Sequence, residues 1–68
     1  MNWERVTLPG VGYSVSFVTR SGERVGVIRQ TDGQRKLIRY AANDPDTVRD
    51  TLTLTAEEAL ALAIFLEE

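Results

Sequence analysis

The sequence predicts an α+β domain: an antiparallel β-meander of three to five strands, a short helical turn near residues 45–50, and a C-terminal helix packed on the sheet. Three observations lead there. Through residues 1–40 apolar and polar side chains alternate with a period of two, between turns that carry glycine. From Asn43 onward the period changes, and Asp-Pro and Thr-Ala-Glu-Glu signals of helix starts follow. The chain has 68 residues, 43 % hydrophobic and 26 % charged, which suits one small folded domain and not a disordered segment.

Glu4–Leu8 is a short strand that ends at Leu8-Pro9-Gly10-Val11-Gly12, where proline and two glycines break a ladder and force a turn. Tyr13–Arg20 alternates cleanly, with Tyr13, Val15, Phe17 and Thr19 on the face expected to be core and Ser14, Ser16, Val18 and Arg20 on the other. Ser21-Gly22 fits a two-residue hairpin loop. Glu23–Gln30 follows with Val25 and Val27 inward and Arg24 outward. Asp32-Gly33 is the strongest hairpin signal, and Gln34–Tyr40 returns from it. Leu37 and Ile38 are adjacent and both apolar, so alternation does not decide which of them points inward.

Asp44-Pro45-Asp46 reads as a helix start, with Asp44 as N-cap, Pro45 at the first helical position and Asp46 favourable to the helix dipole. Thr51–Leu54 is short and β-prone, suited to the sheet edge. Thr55-Ala56-Glu57-Glu58 is a capping box between Thr55 and Glu58, and a helix from Ala56 to about Leu66 follows. Ala59, Leu62, Ala63 and Leu66 supply the stripe such a helix needs against one sheet. Leu60, Ala61, Ile64 and Phe65 are apolar as well, so the helix is hydrophobic most of the way round. Either the sheet curls to cover Phe65, or Leu60, Ile64 and Phe65 contact a second copy, a following domain or a partner protein.

Several function classes are disfavoured by what the chain contains. Without Cys or His there is no thiolate nucleophile, no imidazole base and no common zinc, copper or haem ligand set. Ser14 and Ser16 have no base to activate them, so no enzyme activity and no cofactor is expected. The Gly-x-Gly of residues 10–12 feeds a strand, whereas a dinucleotide fingerprint feeds a helix. Asp44, Asp46 and Asp50 lack the glycine bend of a Ca²⁺ loop and fit capping better than metal binding. The longest apolar run, Ala59–Leu66, is short of the roughly 20 residues of a membrane span. Glu4, Arg5 and Pro9 do not suit a secretory signal, so a cytoplasmic location is expected.

Net charge is −2, but it is unevenly placed: residues 1–40 carry +4 and residues 41–68 carry −6. The two halves either screen each other across one fold or leave a basic sheet face, with Arg24, Arg29, Arg35 and Arg39, for an acidic partner. A small nucleic-acid-binding β module using that basic face is the alternative function, although the acidic pI of about 5.0 argues against a duplex binder.

One ordered set of motifs spans about residues 6–67. It comprises Leu8-Pro9-Gly10-Val11-Gly12, Thr19-x-x-Gly22, Asp32-Gly33-x-Arg35 with Leu37, Asp44-Pro45-Asp46, Leu54-Thr55-x-x-Glu58-Ala59 and Leu66. In that order it resembles the N-terminal domain of KhtT-type regulatory subunits of bacterial cation:proton (K⁺/H⁺) antiporters. The resemblance implies a non-enzymatic regulatory domain, acting in a homodimer and contacting a membrane antiporter from the cytoplasmic side. It also implies a following TrkA-C (RCK-C) domain that binds a small ligand, cyclic di-AMP in some members. The sequence stops at Glu68, where that domain is expected to begin, so a single domain, excised or free-standing, is the expectation. Pro9, Gly10, Gly12, Gly22 and Gly33 are expected to serve structure only.

Overall fold

A computed structural model describes residues 2–68, with Pro45 described in its backbone alone. Five strands, β1 (Glu4–Leu8), β2 (Gly12–Val18), β3 (Arg24–Gln30), β4 (Arg35–Ala41) and β5 (Asp44–Leu54), precede one helix, α1 (Ala56–Glu67). The strands pair in sequence order as a single antiparallel sheet, so the α+β meander and terminal helix are as the alternation and capping box predict.

The first turn follows from proline chemistry. Pro9 and Gly10 occupy its two central positions, Gly10 has φ 76°, and the Val11 amide donates to the Leu8 carbonyl (2.9 Å), the pattern of a type II turn. Gly12 then enters β2 with φ 145°, and a Cβ there would sit 1.8 Å from the Arg29 carbonyl oxygen of β3. Only glycine lets the two backbones approach so closely.

The second turn corrects one expectation. Ser21-Gly22 is not a two-residue loop: the Thr19 amide donates to the Glu23 carbonyl (2.7 Å) and the Gly22 amide to the Thr19 carbonyl (2.9 Å), leaving residues 20–22 as the loop. A three-residue loop places its glycine last, in the left-handed region, and Gly22 has φ 90°. Pairing is therefore Val18 with Arg24. The Asp32 carboxylate accepts from the Gln34 amide (2.9 Å) in the next turn, which Gly33 closes by donating to the Gln30 carbonyl (3.1 Å).

The helical turn expected near residues 45–50 does not form; these residues belong to β5. Half of the capping signal is nevertheless realised, because the Asp46 amide donates to the Asp44 carboxylate (3.0 Å). Thr47, Val48, Thr51 and Thr53 are β-branched, and Val48, Thr51 and Thr53 pair instead with Tyr40, Ile38 and Lys36 of β4. Register shifts on either side of Tyr40 put residues 45–47 in an irregular stretch, where a proline without an N–H interrupts no regular ladder. Thr51–Leu54 lies along the sheet edge beside β4, as its β-prone composition suggests.

Register assigns the faces. Val15, Val27, Leu37 and Leu52 form one cross-strand row, and Ser16, Gly26, Ile38 and Thr51 form the neighbouring row on the opposite face. The Leu37/Ile38 ambiguity resolves with Leu37 toward the first face and Ile38 toward the second. The core is not on the Tyr13–Phe17 face, where alternation predicts it. Among the described residues the enclosed side chains are Ile38, 4 % exposed, and Ser16, both on the serine face. Gly26 explains this: its missing side chain leaves Ser16 Cβ 3.1 Å and the Tyr40 ring 3.4 Å from where a Cβ would be. Polar and aromatic groups therefore close over the strand there.

Candidate interaction surface

Helix α1 starts where its sequence directs. The Glu58 amide donates to the Thr55 hydroxyl (3.1 Å) and the Thr55 amide to the Glu58 carboxylate (2.8 Å), a complete capping box. Its far end carries Glu67 and no basic residue in the last turn, so the negative end of the dipole meets negative charge. No residue of the helix is buried; Ala59 and Leu62 are half-buried and the rest are exposed. Leu60 (62 %), Ile64 (52 %) and Phe65 (72 %), the helix contacts named from sequence, stand open to solvent. So does Leu66, although helical periodicity puts it on the sheet-facing stripe.

The helix extends over the Val15–Leu52 face but stands off it. Two apolar clefts remain, and both reach Leu37 and Leu66. One, about 560 Å³, lies between Val27, Leu37 and Leu54 of the sheet and Ala59, Leu62 and Ala63 of α1. The other, about 590 Å³, is lined by Trp3, Val15, Phe17, Val25 and Leu52. Trp3 leans on Phe17 with ring centroids 5.0 Å apart at 55°, so it walls the second cleft without filling it.

The four arginines singled out from sequence do not share one face. Arg29 and Arg35 pair across β3 and β4 on one side of the apolar row, and Arg39 lies on its other side beside Val25. Arg24 is on the opposite face, where it donates to Glu4 (2.8 Å) and Ser16 (3.3 Å) and lies 6.0 Å from the Tyr40 ring. Arg39 pairs with Glu23 at 3.0 Å and more loosely with Asp50 at 4.0 Å. The Arg39–Asp50 contact is the single ion pair among the described residues that links the basic and acidic halves of the chain. Arg5 and Arg29 converge on Tyr13, at 4.0 and 5.9 Å from its ring, and Arg29 donates to its hydroxyl (3.2 Å). Arg35 donates to the Gly33 carbonyl (2.6 Å). Arg5, Arg29 and Arg35 have no carboxylate partner among the described residues.

Asp44 has a lowered pKa. The Thr47 hydroxyl (2.6 Å) and the Asp46 amide (3.0 Å) donate to its carboxylate and hold its pKa below the ordinary 3.8. With both oxygens engaged by the chain itself, the group acts as a turn-former.

Sequence reasoning found the helix half of the apolar surface and missed the sheet half. Trp3 and Leu52 had a signal: each is a large apolar residue in a short polar stretch, between Asn2 and Glu4 and between Thr51 and Thr53. The separation of Arg24 was also legible, since Arg24 and Arg29 are five positions apart on one strand and must point to opposite faces.

The geometry is that of a small α+β domain with an open apolar face bordered by arginines. A family model for the N-terminal domain of the K(+)/H(+) antiporter subunit KhtT matches residues 1–68, and the chain belongs to that family. It is 35 % identical over 66 residues to the K(+)/H(+) antiporter subunit KhtT of Bacillus subtilis, a match covering 97 % of this chain and 40 % of that protein. It is 41 % identical over 51 residues to the ammonium/H(+) antiporter subunit AmhM of Alkalihalophilus pseudofirmus, covering 75 % of this chain and 30 % of that one. The chain thus spans less than half the length of either relative. Among the described residues no helix is long and apolar enough to cross a membrane.

Proposed function

We propose that this chain is a non-enzymatic regulatory domain of a monovalent-cation/proton antiporter subunit. In this role it holds the subunit in a homodimer and touches the transporter, or a ligand-binding TrkA-C domain, at the cytoplasmic side of the membrane. Family membership supports the antiporter connection. The observation that carries the contact role is the exposure of Leu60, Ile64 and Phe65 on a helix that its own sheet does not cover. Regulation requires a ligand to bind two states of the subunit with different affinity, and this domain supplies part of the two-state element, not the sensor. The arginine-bordered face is the weaker docking candidate, because Arg24 and Arg39 are already paired.

The test is cation-dependent proton exchange in everted vesicles holding the antiporter and the subunit that contains these residues. Phe65→Glu is expected to reduce the regulatory response about fivefold or more, the low end of ordinary coupling energies, while the subunit remains folded. An unchanged response with Leu60→Glu and Phe65→Glu combined contradicts the proposal.

A further inference from the structure

We infer that the first cleft, between the sheet and α1, binds a free alkyl carboxylate, with Arg29 and Arg35 taking its head group and the aliphatic walls its chain. This goes beyond the contact role above and does not depend on it.

The two arginines require an anion. Arg29 and Arg35 are direct partners across β3 and β4, and both line the cleft beneath α1. Like charges directly opposite each other, with Cβ atoms about 5 Å apart, destabilise a sheet. Neither arginine has a carboxylate partner among the described residues, so an anion placed between them relieves the repulsion. Both are already held in position. Arg29 donates to the Tyr13 hydroxyl (3.2 Å), whose ring also carries Arg5 at 4.0 Å, and Arg35 donates to the Gly33 carbonyl (2.6 Å). A guanidinium has several N–H donors, so each keeps some for a ligand, and a carboxylate can accept from it bidentately.

The remaining walls set the body of the ligand. Among the described residues Arg29 and Arg35 are the only polar side chains lining this cleft; the others are aliphatic, from Val27 and Leu37 on the sheet to Ala59 and Ala63 on the helix. Both polar groups donate and neither accepts. A peptide, sugar or nucleotide brings N–H or O–H groups that find no acceptor among these side chains, and no aromatic ring lines the cleft to stack on a base. An alkyl carboxylate carries acceptors at one end and nothing polar elsewhere. The volume of about 560 Å³ is ordinary for a small-molecule site, about 300–1,000 Å³. Another helix does not fit: at about 10 Å diameter and about 5.4 Å per turn, a single turn occupies more than about 400 Å³. An anionic bilayer is opposed by glutamates at both ends of α1, Glu57, Glu58 and Glu67.

The test is calorimetric titration of decanoate into the subunit that contains these residues, with 1-decanol as the uncharged counterpart. Decanoate is expected to bind saturably, and Arg29→Gln with Arg35→Gln to weaken it about tenfold or more, as loss of one charge-assisted hydrogen bond does. Arg20→Gln with Lys36→Gln removes the same charge away from the cleft and is expected to leave binding unchanged. Ala63→Phe fills the cleft with both arginines intact and is expected to abolish binding; it serves alone if circular dichroism shows the arginine variant unfolded. Decanol that binds as tightly as decanoate overturns the site, as does unchanged binding in the folded arginine variant or in Ala63→Phe. A subunit that takes up no decanoate also overturns it, the result expected if the rest of the subunit or another copy fills the cleft. Pelleting with phosphatidylglycerol vesicles that the arginine substitutions abolish would make a bilayer the source of the anion and overturn the free ligand.

Discussion

On the face that carries Ser16, Gly26 and Ile38, one ion pair and a tyrosine ring close over the strands; on the face that carries Val15, Val27, Leu37 and Leu52, two apolar clefts lie open beneath a raised helix. The same strands build both. What differs is which groups lie within reach to cover them. At Gly26 a missing side chain brings Tyr40 and Ser16 within reach, and Arg24 can span Glu4 and Ser16. On the open face the single helix reaches the aliphatic row only partly, and Trp3 leans on Phe17 without filling the cleft. A chain this short buries about 60 % of its unfolded surface, and here that encloses Ile38 and Ser16 on one face while Val6, Val18 and Val48 around them stay exposed.

The contrast can be broken most severely at Gly12. Gly12→Ala drives a Cβ into the Arg29 carbonyl and forces β2 from β3, undoing both faces at once; a loss of about 3 kcal/mol or more in urea unfolding is expected. A loss under about 1 kcal/mol, in the range of ordinary surface changes, contradicts the close approach.

A matched pair of truncations sharpens the difference. Ile38→Ala removes the enclosed side chain and is expected to cost about 2–5 kcal/mol, whereas Phe65→Ala, at concentrations where the chain is monomeric, is expected to cost under about 0.5 kcal/mol. Equal costs at the two positions would mean that α1 packs on the sheet in solution.

The smallest effect concerns pH. Because Asp44 has a lowered folded pKa, its carboxylate favours the folded state above pH 3.8, and that contribution is lost as pH falls through the folded value. Thr47→Val removes the stronger donor, so an NMR titration of Asp44 is expected to move up toward 3.8. An Asp44 that titrates identically in both proteins argues against the hydrogen bond.

The strands and α1 were legible because their signals are local: period-two alternation, a Pro-Gly turn and a capping box each act within a few residues. The start of β5 was not, because Asp44-Pro45-Asp46 is locally a helix start and only the distant β4 supplies the competing ladder. The loop at Gly22 went the same way. Both loop lengths suit the sequence, and cross-strand packing chooses between them. For the surface, Leu60, Ile64 and Phe65 were visible as excess apolar residues on a helix. Trp3, Leu37 and Leu52 were not joined to them, since which sheet residues lie under a helix is a tertiary fact.

Sedimentation equilibrium of the 68-residue chain over a range of concentrations, beside Phe65→Glu, tests most directly whether the open face is an interface. The unaltered chain is expected to associate to a dimer and Phe65→Glu to remain monomeric with an unchanged circular dichroism spectrum. A folded, monomeric unaltered chain at every concentration, or a dimer that Phe65→Glu leaves intact, would contradict it.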